Sequence, residues 1–144
     1  AQASAGRVGF FPRLPVEAYL RRLADVDIGL DSFPCAGATT TLDALWMGVP
    51  VVSLAGEAPW SRPGASLLGT LDLAQCLAGT PDEYVERAVA LASDLPALSC
   101  LRQSLRPRLQ ASPLMDEAGF ARAMEEALLR MARLKGVVPE RGAE

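Results

Sequence analysis

Histidine is absent from all 144 residues. A Ser-His-Asp triad, a Cys-His dyad and any His-ligated metal site are therefore excluded within this chain. Cysteine is scarce: Cys35, Cys76 and Cys100 stand far apart, and there is no C-x-x-C. Neither a zinc knuckle nor a thioredoxin-like redox site fits that pattern. Three cysteines without a framework point to a reducing, cytoplasmic setting and to small core or loop roles. No apolar run approaches the roughly 20 residues of a membrane-spanning helix, so no membrane partner is expected. No excess of basic residues exists either. The formal net charge is −3, which argues against a nucleic-acid partner. Residues 1–11 lack a basic segment followed by a long apolar core, so a signal peptide is not expected. With no initiator Met, the expectation is a fragment or a processed product.

What the chain has is hydrophobic residues, at 50%, and 22% charged residues. That suits one domain with a real core rather than disorder. Val8–Phe11 is a short apolar run, expected as a strand. Pro12 and Pro15 punctuate a turn, and Val16–Ala24 shows helical spacing through Ala18, Leu20 and Leu23. Asp27–Leu30 reads as a short buried strand and 32–38 as a loop of small residues. Thr39–Met47 reads as a helix with Gly48 and Pro50 as stop signals. Val51–Leu54 reads as a strand covered on both faces. Beyond it, Ser61 is a candidate cap for a helix through Leu71, and Gln75–Ala78 is a short strand or turn. Thr80-Pro81-Asp82-Glu83 is a helix start. Helices are expected from there to Ser93, over Asp94–Leu109, and over Asp116–Lys135. Phe120, Met124, Leu128 and Met131 give the last helix a stripe expected to pack. The domain is expected over 1–136, with a flexible tail over 137–144.

Strand, helix, strand, helix, strand predicts an α/β class: a Rossmann-like parallel sheet with flanking helices. Ligands of such sheets bind beyond the carboxyl ends of the strands. The stretch DSFPCAGATTTLDALWMGVPVVSL, from Asp31 to Leu54, places a helix N-terminus at that edge. Its free N–H groups and dipole favour phosphate. Thr39, Thr40 and Thr41 open the helix, and Asp43 lies one turn in, within reach of a ribose hydroxyl. Local physics leaves alternatives open. The threonines suit a plain helix cap, and Asp43 is favoured in a first turn by the dipole alone. Tyr19 and Arg22, three apart on a helix, suit either base recognition or a solvated rim. Trp46 reads as core. Arg62 suits a phosphate or an acidic neighbour.

The segment RVGFFPRLPVEAYLRRLADVDIGLDSFPCAGATTTLDALWMGVPVVSLAGEAPWSRPGAS resembles the C-terminal lobe of the O-linked N-acetylglucosamine transferase family, glycosyltransferase family 41, with its SPINDLY-type members. ASPLMDEAGFARAMEEALLRM is similar to that lobe's closing helix. The shared motifs are F-x-P-x-x-P, a D-x-x-LD strand, T-T-x-x-[DE]-x-L-W-x-G-x-P, G-E-x-x-x-S-R and SPL, and they cover roughly Arg7 to Lys135.

The resemblance implies part of a GT-B fold whose C-terminal lobe grips a nucleotide diphosphate sugar. It implies diphosphate contacts at Thr39 and Thr40, with Thr41 beside them, and a ribose contact at Asp43. It implies base contacts at Leu14, Tyr19 and Arg22. A uridine-diphosphate donor is favoured over a guanosine one, and no metal is expected. Ala38 stands where well-studied uridine-diphosphate members have His, and Val16 where they have Lys. SPINDLY-like and bacterial members also lack that His. The lysine that steadies the leaving diphosphate lies upstream in the family, so no catalytic residue is expected in this fragment. Protein acceptors are expected to bind through regions outside it. The expected function is the donor-binding part of an inverting transferase acting on protein Ser or Thr hydroxyls. Two alternatives stand beside it: a non-catalytic protein-interaction module that keeps the fold without donor binding, and an unrelated sugar-phosphate binder.

Overall fold

The protein is described by a computed structural model covering residues 7–137. Six helices, three short strands and three 3-10 turns follow one another among these residues. Helix α1 spans Val16–Ala24, strand β1 Gly29–Leu30, helix α2 Thr39–Trp46 and strand β2 Val51–Leu54. Helix α3 spans Pro63–Thr70, strand β3 Leu77–Ala78, helix α4 Pro81–Ser93, helix α5 Leu95–Gln110 and helix α6 Glu117–Leu134.

The sheet is parallel throughout, in the order β1-β2-β3, with Gly29 beside Val51 and Ser53 beside Leu77. The α/β expectation therefore holds, but the third strand differs from the expected one. Val8–Phe11 forms no strand; Leu77–Ala78 takes the place beside β2. Apolarity alone does not make a strand, because a strand needs a pairing edge. β1 bonds on the β2 side, through Gly29 N to Pro50 O at 2.8 Å and Asp31 N to Val52 O at 2.9 Å. Phe10 is 93% exposed, and the ring of Phe11 lies under the Arg22 guanidinium at 4.0 Å. β1 is also shorter than expected and is an edge strand, with Leu30 exposed rather than buried.

β2 is the buried centre, with Val51, Val52 and Ser53 all buried, as its largely apolar sequence requires. The main core gathers Leu45 of α2, Leu68 of α3, Leu71, Leu73 and Cys76 of the connection to β3, and Leu105 and Leu109 of α5. Trp46 packs against it half-buried, with Arg106 over its ring. A helix turn and a strand meet closely at Gly64, where a Cβ would collide with Ser53 Oγ.

Caps place the helix starts. Thr80 accepts from Glu83 N at 3.2 Å, while Glu83 Oε2 accepts from Gly79 N at 2.8 Å. Asp94 and Asp116 cap α5 and α6 through Ala97 N and Gly119 N. Ser61 does not cap α3; it closes a 3-10 turn over Pro59–Ser61, and Arg62 holds the cap position. The stripe on α6 does not pack: Phe120, Met124, Leu128 and Met131 are all exposed. Of the expected tail, 138–144 lies outside the described residues, as do residues 1–6 of the chain's start.

Candidate functional site

The carboxyl edge of the sheet carries the turn 31–38, and this turn delivers α2. Asp31, at the end of β1, organises it. Its side chain is buried, with Oδ1 accepting from Gly37 N at 2.7 Å and Oδ2 from Ser53 Oγ at 2.7 Å. Tyr84 of α4 donates its hydroxyl to the Asp31 carbonyl at 2.8 Å, and Phe33 meets the Tyr84 ring edge-on. Burial and the nearby Asp31 charge push the Tyr84 phenol above its ordinary value, so it remains a donor.

Ala38 holds the cap position of helix α2 and supplies no side-chain cap. The three threonines occupy the first helical positions rather than the cap position, so the cap-only reading of them does not hold. Their amides belong to the set that an α-helix leaves without intrahelical partners. The N-terminus is therefore open to an anion at the sheet's carboxyl edge.

Beside it lies a cleft of about 620 Å³, lined by Leu14, Val16, Tyr19, Arg22, Thr40 and Asp43, with Phe11, Pro12 and Arg13 completing its rim. Five of the sequence-selected residues thus meet in one place, although α1 and α2 are separated by a strand and a loop. A second hollow of about 260 Å³ adjoins it through Tyr19 and Thr40 and reaches Asp31, Gly37 and Thr41. Thr41 is buried, whereas Thr39 is exposed and lines neither hollow.

Burial raises the Tyr19 phenol above its ordinary value, and the Asp43 charge adds to the effect. The phenol therefore stays protonated at neutral pH, with Asp43 close enough to be felt. Arg22 reaches Asp25 at 3.7 Å while both side chains are largely exposed. Such a pair is weak; the Arg22 guanidinium already lines the cleft, stacked over the Phe11 ring at 4.0 Å. Arg62 donates to the Gly56 carbonyl at 3.0 Å and forms no ion pair with an acid among the described residues. No group of three or more His, Cys, Asp or Glu side chains suited to a metal occurs among the described residues. None of the described helices is long and apolar enough to cross a membrane.

Sequence reasoning missed Asp31 as a site residue. The available signal was an acid ending an apolar strand and preceding a small-residue turn.

The sequence model described as Glycosyl transferase family 41 matches residues 2–124. The chain belongs to glycosyltransferase family 41. It is 48% identical over 108 residues to a Solanum lycopersicum protein named "Probable UDP-N-acetylglucosamine--peptide N-acetylglucosaminyltransferase SPINDLY", across 75% of this chain and 12% of that protein. The Arabidopsis thaliana protein of the same name is 46% identical over 116 residues, across 79% of this chain and 13% of that one. A mutant O-GlcNAc transferase from Thermobaculum terrenum superposes with a TM-score of 0.78 at 39% identity, covering 83% of this chain and 23% of that one. The family 41 chain thus spans about an eighth of the length of these SPINDLY relatives. Its fold is that of a Rossmann-like lobe of the GT-B type.

Proposed function

We propose that this lobe binds the donor of a transferase that moves N-acetylglucosamine, or a related sugar, from a nucleotide diphosphate to protein Ser or Thr hydroxyls, with inversion. The observation that carries the reading is the single cleft that gathers Leu14, Tyr19, Arg22, Thr40 and Asp43 beside the uncapped start of α2.

Each residue has a chemical task in it. The Leu14 backbone, the Tyr19 ring and the Arg22 guanidinium take the base. The Asp43 carboxylate accepts from ribose hydroxyls. The amides and hydroxyls of Thr39, Thr40 and Thr41 take the diphosphate. As the bond from sugar to diphosphate breaks, negative charge grows on the departing phosphates. Fixed donors and a helix dipole already aimed there stabilise that charge without reorganising. The names of the SPINDLY relatives support a uridine-diphosphate donor over a guanosine one. Acceptor binding and the group that completes leaving-group stabilisation are assigned to the rest of the parent protein. This chain alone is expected to bind donor without turning it over. Residues 1–136 are assigned to the lobe and 137–144 to a tail.

Calorimetric titration with UDP and with GDP tests the reading. UDP is expected to bind more tightly than GDP. Asp43→Ala is expected to weaken UDP about tenfold, the loss of one or two hydrogen bonds to a charged acceptor. A folded chain that binds neither nucleotide overturns the reading.

A further inference from the structure

We propose that Asp31 is the positioning residue of the diphosphate site: it touches no ligand and sets the place of the turn that presents Thr40 and Thr41. This inference rests on the donor-site reading above and adds a residue to it.

A buried carboxylate beneath an anion site opposes the anion by Coulomb's law, so attraction does not account for it. Its geometry does. One oxygen holds Gly37 N at 2.7 Å, and the other holds Ser53 Oγ at 2.7 Å on the central strand. Hydrogen bonds to an ionised acceptor are shorter and stronger than neutral ones. The carboxylate therefore fixes the turn to the most buried part of the sheet. The Tyr84 hydroxyl on the Asp31 carbonyl ties the same residue to α4. From Gly37 the constraint passes directly to the threonines. A Cβ on Gly37 would lie 2.7 Å from Thr40 Oγ1 and 2.9 Å from Thr41 Oγ1. The turn thus passes so close to the two hydroxyls that a side chain at this position would collide with them. Releasing Gly37 N from Asp31 lets the turn move off the threonines while leaving Leu14, Tyr19 and Arg22 where they are.

The test compares UDP with uridine by ligand-observed NMR titration of the 144-residue chain. In Asp31→Ala, UDP is expected to weaken about tenfold, on the scale of a lost charge-assisted bond, and uridine to be unchanged. Asp31→Asn keeps one carbonyl oxygen for Gly37 N and is expected to restore most of the UDP affinity. Should Asp31→Ala not fold, Ser53→Ala removes the donor that holds the other carboxylate oxygen and is expected to show the same split. Equal weakening of UDP and uridine, or unchanged UDP affinity in a folded variant, overturns the positioning role. Failure of the unmodified chain to bind UDP overturns the donor-site reading instead.

Discussion

Single residues in this lobe titrate according to what surrounds them. Cys76 is fully buried in the main core, and burial pushes its thiol from 9.0 up to about 11, with Arg87 pulling the other way. The folded state therefore keeps a proton that the unfolded chain releases first. The stability tied to this proton is complete below pH 9 and is lost as pH rises toward 11. Two pH units correspond to on the order of 2–3 kcal/mol by linkage. Urea denaturation at pH 8 and at pH 11 is expected to show that loss, and Cys76→Ala to reduce it. An unchanged pH dependence in Cys76→Ala would assign the loss to other groups. Tyr19 and Tyr84 shift in the same direction for the same primary reason. At neutral pH both phenols are protonated. One faces the cleft, and the other holds the turn beneath it.

At the scale of elements, the helices were legible because their ends carry local chemistry. Thr80 with Glu83, Asp94, and Asp116 each mark a start that the hydrogen bonds reproduce. Gly48 marks the end of α2 because its φ of +76° favours a residue without a Cβ. Gly48→Ala is expected to cost about 1–2 kcal/mol in urea denaturation, since it adds strain at that φ. Thr80→Ala is expected to cost about 1 kcal/mol through the lost cap. Strands were less legible because pairing is set by neighbours distant in sequence. Val8–Phe11 has the right residues but lies off the open edge of β1, with the Phe11 ring under Arg22 of α1, whereas Leu77–Ala78 has two residues and pairs with β2. The site divides the same way. The T-T-x-x-D pattern and the α1 residues could be read because they follow a family motif. The role of Asp31 could not, because its partners Ser53 and Tyr84 are 22 and 53 positions away.

On the scale of the whole molecule, the packed body is the sheet with α2, α3, α4 and α5, while α6 stands apart from it. α6 packs against the 3-10 turn at Pro113–Met115 and buries none of its residues. Its amphipathic spacing is nonetheless as regular as that of any packed helix, because Phe120, Met124, Leu128 and Met131 recur every three or four residues. Periodicity records that a face is apolar and leaves open what covers it. Two substitutions separate the body from this helix. Leu105 is 1% exposed and sits among Leu45, Leu68 and Leu109. Leu105→Ala is expected to cost about 3 kcal/mol through lost burial and the cavity left behind. Leu128 is 54% exposed. Leu128→Glu is expected to change stability by no more than about 0.5 kcal/mol, as for a surface site. Both values come from urea denaturation at two protein concentrations. A cost above about 2 kcal/mol for Leu128→Glu at both concentrations would place the stripe against the chain's own core in solution. A cost that appears only at the higher concentration would place it against a second copy of the chain, because association stabilises by mass action.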